Sequence, residues 1–222
     1  MIHPLKQLSA LIYPPKCVLC RKLLSREETD LCHSCRCDTF ACNIRNVKLP
    51  HLAQWTALWY YEGNVRSSIH RFKFMRRNAY AVAYGRLLAM KLLEEGFSFD
   101  ILSWIPISRQ RRRRRSYDQS KLLAAAVGKA LSIRPRAVLK KCRHNMPQAM
   151  LTKVSQRRAN ALGAYVCTAP EAIRGKRILL IDDILTTGAT AGECARVLLT
   201  AGASAVLCAT VASANHQQQN SR

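Results

Sequence analysis

The chain has 222 residues, 49% of them hydrophobic, so it can bury a core and a globular fold is the default. No apolar run reaches the roughly 18 residues that a membrane-spanning helix needs. Thirty-six Lys and Arg face thirteen Asp and Glu, a formal net charge of +23, where a surface tuned for solubility alone would mix both signs; the excess points to a polyanionic partner, nucleic acid ahead of an anionic membrane surface.

Residues 1–15 carry a short apolar patch without a small-residue cleavage site and read as mature protein, with the cytoplasm as the expected compartment. The first fifty residues hold Pro14, Pro15 and six of the ten cysteines, with little hydrophobic periodicity, and are expected to form a separate loop-like module. Residues 55–61 read as an aromatic-rich strand and 80–95 as an amphipathic helix closed by Gly96. A short buried strand is expected at 101–105, ending at Pro106. Arg109 and the unbroken run Arg111, Arg112, Arg113, Arg114 and Arg115 follow, then a helix at 119–131 with Asp118 as its N-cap. Residues 140–158 are polar, basic and weakly periodic, and read as a mobile loop. A fully apolar strand at 178–181, a helix at 190–200 with Gly202 beyond its end, and a strand at 205–211 complete the pattern; residues 214–222 form a polar tail. Apolar strands alternating with helices over 51–213 imply an α/β domain, a parallel sheet covered on both faces, with ligands bound beyond the carboxyl ends of the strands. That rule selects the residues just after Ile105 and just after Ile181.

Cys17-x-x-Cys20 and Cys32-x-x-Cys35 are two knuckles separated by eleven residues. Each two-residue gap lets two thiolates face one metal, and two such pairs complete a tetrahedral zinc site. Cys37, Cys42 and His33 are spare ligands. The competing reading is a set of redox-active or merely reduced thiols. Zinc is favoured because a polar segment of this length has little else to hold it together, and metal binding supplies folding energy. Cys194 and Cys208 fall in helix-like and strand-like runs and read as small core residues.

After the strand at 178–181 come Asp182 and Asp183, and then Thr186, Thr187, Gly188, Ala189 and Thr190 lead into a helix. Backbone amides at a helix N-terminus cradle a phosphate dianion, and Thr hydroxyls add donors. Gly188 is expected to let the backbone approach the ligand closely. The two acids, expected to be exposed, can accept hydrogen bonds from vicinal ribose hydroxyls and hold the Mg²⁺ that accompanies a pyrophosphate. A plain helix cap would need neither two adjacent acids after an apolar strand nor Thr-Thr-Gly-x-Thr.

This loop resembles the 5-phosphoribosyl pyrophosphate (PRPP) motif of type I phosphoribosyltransferases, and nearly the whole chain resembles the ComF family, the competence-protein-F group that includes GntX-like proteins. The resemblance runs through Pro14-Pro15-x-Cys17-x-x-Cys20, Tyr61-Glu62-Gly63, Ile69-His70-Arg71-Phe72-Lys73, Ile105-Pro106-Ile107 with the arginine-rich loop, Pro147-Gln148, Arg157 with Asn160, and the Asp-Asp loop. It implies a type I phosphoribosyltransferase-like parallel sheet flanked by helices, plus a small N-terminal zinc ribbon. It also implies that Asp182 and Asp183 are the catalytic acids, that Ile107, Ser108 and Arg109 lie on the pyrophosphate side, and that residues 143–157 form a loop closing over the pocket. Where the family follows its Arg with Gly-Phe-Asn-Gln, this chain reads Ser116-Tyr117-Asp118-Gln119.

The same resemblance implies a role in natural transformation, handling incoming single-stranded DNA in the cytoplasm alongside other DNA-uptake proteins. The residues agree. The charge suits a phosphate backbone, with Arg111 to Arg115 as the nucleic-acid-binding candidates. Trp55, Trp59, Tyr60 and Tyr61 offer stacking surfaces, most of them expected in the core. No Walker A sequence is present, so this is not the motor that pulls DNA. The alternative is a working phosphoribosyltransferase that displaces pyrophosphate from PRPP through an oxocarbenium-like centre. Against it, no base-binding segment is recognisable, and a salvage enzyme has no use for a zinc ribbon or for +23.

Overall fold

The computed structural model describes residues 14–39, 42, 47–75, 78–142 and 161–214, with Arg114 described by its backbone alone. In chain order the elements are α1 (His33–Asp38), β1 (Gln54–Tyr60), α2 (Gly63–Phe74), α3 (Tyr80–Glu94), β2 (Ile101–Trp104), α4 (Arg109–Arg115), α5 (Gln119–Leu131), β3 (Leu139–Lys141), β4 (Tyr165–Cys167), α6 (Pro170–Ile173), β5 (Arg177–Leu185), α7 (Ala189–Thr200) and β6 (Ala205–Ser213). Four strands form one sheet in the order β1-β6-β5-β2, every pair parallel. β3 and β4 make a separate antiparallel pair.

Parallel strands need long crossovers, and the helices that supply them cover both faces. β5 alternates accordingly. Leu179 and Ile181 pack with buried residues of α2, α3 and α5, whereas Ile178 and Leu180 pack with α7 and the β3–β4 pair. α3 lies close on α5 through Gly85, where a Cβ would come within 2.4 Å of the Ala126 Cβ. Among the described residues, no helix is long and apolar enough to cross a membrane.

The elements expected from strong periodicity are present within a few residues of their expected ends, and Asp118 caps α5 by accepting the Lys121 amide at 3.1 Å. Four differences bear on the site. β5 runs four residues past its apolar core, because pairing with β6 continues to Leu185 opposite Ser213. Asp182 and Asp183 therefore sit in the strand. The segment at 63–74 is the helix α2, burying Val65, Ile69 and Phe72 along one stripe. The arginine run is the helix α4, started by Ser108, whose Oγ accepts the Arg111 amide at 3.3 Å, and ended by Ser116 in the left-handed region. Of the stretch read as a loop at 140–158, Lys140 and Lys141 belong to β3. The closing loop at 143–157, with Pro147, Gln148, Arg157 and Asn160, lies outside the described residues, as does the polar tail beyond residue 214.

The cysteine segment docks on α2 and α3. Val18, Leu19 and Leu31 are buried in the same cluster as Ile69 and Phe72. Ser68 donates to the Val18 carbonyl, Arg71 to the Leu19 carbonyl, and Arg86 pairs with Asp30.

Candidate functional site

The carboxyl ends of β2 and β5 open onto a cavity of about 300 Å³. Its floor is the acidic pair. Asp182 Oδ1 accepts from Ser120 Oγ at 2.7 Å and from the Asp183 amide at 2.8 Å. Asp183 Oδ1 meets Lys73 Nζ at 2.9 Å, an ion pair delivered by the last turn of α2. The expectation that both acids are exposed is corrected here: Asp183 is buried and Asp182 half-buried, because the strand carries them under the cavity. Burial, reinforced by the Asp183 charge, pushes the Asp182 carboxyl up to about 7.

Thr186, Thr187, Gly188, Ala189 and Thr190 line one wall, where α7 begins. Gly188 sits at φ +73°, and a Cβ there would lie 2.8 Å from Leu49 Cδ2. The turn conformation and the packing of Leu49 thus both require glycine, reasons different from the ligand approach expected of it. Thr187 Oγ1 accepts the Ala189 amide at 3.4 Å.

The opposite wall is basic, and α4 builds most of it. Arg111 and Arg115, one turn apart, line the cavity, while Arg109, Arg112 and Arg113 are exposed. Arg115 donates to Gln119 Oε1 at 3.0 Å and lies over the Phe74 ring at 5.1 Å. Burial, followed by the Arg115 charge, lowers Arg111 from its ordinary value. From β3, Lys141 donates to Tyr165 Oη at 3.1 Å; burial and then Arg111 push its ammonium down to about 8. The lining thus holds four cations (Lys73, Arg111, Arg115 and Lys141) against two acids. Charges of one sign crowded at partial burial repel one another unless an anion sits between them, so the cavity favours an anionic ligand.

Of the three residues expected on the pyrophosphate side, Ile107 lines this cavity, and Ser108 and Arg109 line a neighbouring concavity. The departure at 116–119 is structural. Asp118 caps α5 and accepts the Ile107 amide at 3.3 Å, which fixes the segment after β2. Tyr117 donates to the Phe72 carbonyl, and Gln119 is buried. Trp55 and Trp59 are core residues, whereas Tyr61 lines the cavity. Lys73, Ser120 and Lys141 are site residues that the sequence reading missed. Only Lys73 carried a signal, as the end of Ile69-His70-Arg71-Phe72-Lys73.

The sulfurs of Cys17, Cys20, Cys32 and Cys35 lie within 4.8 Å of one another and can hold one metal ion. Cys20 and Cys32 are 3.6 Å apart, near the ~3.8 Å edge of a tetrahedron with metal–sulfur bonds of about 2.3 Å. Burial raises the Cys17 thiol, but the backbone amides of Cys20, Cys32 and Leu19 outweigh it and bring it down to about 7. Amides aimed at sulfur suit a metal-bound thiolate. Among the spare candidates, Cys37 lies 3.8 Å from His33 on the exposed side of α1, and Cys42 is buried elsewhere; none of the three joins the cluster.

Residues 121–222 match the phosphoribosyl transferase domain family. The chain is 28% identical over 229 residues to the DNA utilization protein YhgH of Escherichia coli, covering 90% of this chain and all of that protein. It is 26% identical over 204 residues to the competence protein ComFC of Bacillus subtilis, covering 85% and 80% of the two chains. Among solved structures, the glutamine PRPP amidotransferase from Bacillus subtilis matches at 21% identity with a TM-score of 0.41, over 59% of this chain and 26% of that one. The parallel sheet with an acidic pair and a helix N-terminus at its carboxyl end is a phosphoribosyltransferase domain. Over most of its length the chain is similar to DNA utilization and competence proteins, and it joins such a domain to an N-terminal cysteine cluster.

Proposed function

We propose that this protein handles single-stranded DNA during natural transformation, and that its carboxyl-end cavity binds PRPP or a related sugar phosphate. The observation that carries the reading is the placement of Arg111 and Arg115 in one cavity with the phosphate loop, in a chain of net charge +23. One basic wall then serves both phosphate chemistries. The names of the relatives, DNA utilization and competence proteins, favour DNA handling over base salvage.

Residues 186–190 hold the 5-phosphate through backbone amides and Thr hydroxyls. Asp182 and Asp183 face the ribose, and Arg111, Arg115 and Lys141 face the pyrophosphate. A Mg²⁺ ion carried in by the pyrophosphate would find its protein oxygens at the two acids and would neutralise diphosphate charge. The four thiolates fit zinc, which would act structurally, fixing the knuckles against α2.

The second reading, an active phosphoribosyltransferase, has the acidic pair in its favour. Incubation with PRPP, Mg²⁺ and a panel of bases separates the two. DNA handling predicts no steady-state release of pyrophosphate with any base, together with binding of single-stranded DNA. Turnover with one base and no DNA binding would reverse the assignment.

A further inference from the structure

α4 stands between two concavities. Arg111 and Arg115 line the cavity described above. Arg109 and Arg113, also one turn apart but on the other side of the helix, line a second concavity with Lys140, Lys141 and Cys142. Lys141 lines both, so the two adjoin. The second lining has four cations (Arg109, Arg113, Lys140 and Lys141) and no acid. Burial, then the neighbouring Arg111, hold the Lys141 ammonium below its ordinary range.

The two concavities differ in what they can hold. At about 300 Å³ the first lies at the small end of the range for ligand pockets, roughly 300–1,000 Å³. It has room for one sugar phosphate and not for a strand passing through. β5 closes its floor, and the wall at α7 offers backbone amides of the kind that suit a phosphate dianion, which on a nucleic acid exists only at an end. The acids are no barrier to a sugar, because Asp183 is paired with Lys73 and Asp182 accepts from Ser120. The charged residues of the second concavity are all cations, beside Ser108, Gln110 and Cys142, and such a lining suits phosphodiesters of any sequence.

We propose that the paired concavities recognise the 5′-phosphorylated end of a single DNA strand. The terminal phosphate sits in the loop at 186–190 and the terminal sugar beside Asp182 and Asp183. The next phosphodiesters leave past Arg111 and Lys141 into the concavity of Arg109, Arg113 and Lys140. This rests on the DNA reading above and adds to it an end, a direction and a second phosphate site.

Fluorescence anisotropy with oligothymidylates of one length, bearing a 5′-phosphate, a 5′-hydroxyl or a 3′-phosphate, tests it. The 5′-phosphorylated strand should bind about tenfold more tightly than the other two, because only its dianion gains charge-assisted bonds from the loop. Ribose 5-phosphate should compete away that advantage. Thr187→Val should bring the ratio of the 5′-phosphate and 5′-hydroxyl affinities close to one, whereas Arg113→Gln should weaken both strands and leave the ratio unchanged. If Thr187→Val does not fold, the ribose 5-phosphate competition carries the test alone. Equal affinity of the unaltered protein for all three strands, or a gain matched by the 3′-phosphate, overturns end recognition and leaves DNA binding standing. Failure of every strand to bind removes the DNA reading as well.

Discussion

The cysteine knuckles and the phosphate loop are both tight turns with residues at positive φ, Arg21 and Asp30 in one and Gly188 in the other, yet different forces hold them. The phosphate loop hangs from β5, which is paired on both sides by β2 and β6 and has Ile178, Leu179, Leu180 and Ile181 fully buried. Its shape is paid for by the sheet before any ligand arrives. The knuckles bury Val18, Leu19 and Leu31 against α2, but their own interior is four sulfurs. An ion bound by those sulfurs would supply much of the order of such a segment. The two regions meet through α2, where Ser68 and Arg71 receive the knuckles and Lys73 reaches the acidic pair. A segment able to hold a metal thus packs on the helix that delivers Lys73 to the pocket.

The largest effect should come from Cys32→Ser. Structural zinc contributes apparent binding energies of about 10 kcal/mol or more. Elemental analysis should find about one zinc per unaltered chain and none in the variant, and limited proteolysis should then cut within residues 14–39. A metal-free variant that stayed protected would show that packing on α2 suffices, and the contrast between the two regions would fail.

The pocket variants should do the reverse, losing ligand but not fold. PRPP with Mg²⁺ at about 100 times its Kd should stabilise the protein by about 2.7 kcal/mol, seen as a raised thermal midpoint. Asp182→Ala together with Asp183→Ala should abolish that shift while the protein still unfolds cooperatively. A full shift in the double variant would reduce the loop to a helix cap.

A smaller effect should depend on pH. In the folded chain the Asp182 carboxyl is pushed up to about 7 from an ordinary 3.8, chiefly by burial. The folded state therefore holds this proton more tightly than the unfolded chain, and stability is lost as pH rises from about 4 toward 7. Asp182→Asn removes that penalty, so it should raise the thermal midpoint more at pH 8 than at pH 5. An equal change at both pH values would mean that Asp182 titrates as an ordinary carboxylate.

Smallest of all, Ser116 adopts φ +69° at the end of α4, a conformation that favours glycine. Ser116→Gly should relieve about 1 kcal/mol of left-handed strain, measurable in urea as a higher midpoint at unchanged slope. No gain would mean that the Ser116 backbone is not strained.

The contrast between the regions also explains what was legible in the sequence. Metal ligands are local: Cys17, Cys20, Cys32 and Cys35 announce themselves by spacing, and the structure gathers those four and leaves His33, Cys37 and Cys42 aside. The four strands of the parallel sheet and α3, α5 and α7 carry clear periods and could be read directly, whereas β3 and β4, at three residues each, are too short to show one. α2 has few apolar residues beyond its buried stripe, and α4 is almost all arginine, so pattern reading had little to work on. The surroundings of the phosphate loop are not local. Ser120 reaches Asp182 across 62 positions, and Lys73 stands 110 positions before the Asp183 it meets. The exposure of the two acids was misread because the end of β5 is set by its pairing with β6, which apolar content alone does not reveal.

The central claim is that the basic wall built by α4 binds the DNA backbone. The direct measurement is the salt dependence of single-stranded DNA binding by the unaltered protein and by a variant with Arg111, Arg113 and Arg115 replaced by Gln. Each neutralised phosphate contributes roughly 0.7 to the log–log slope for single strands. The triple variant should therefore flatten the slope by about 2 and weaken PRPP binding with it, since Arg111 and Arg115 line the shared cavity. An unchanged slope would contradict the account and place the nucleic-acid surface away from α4.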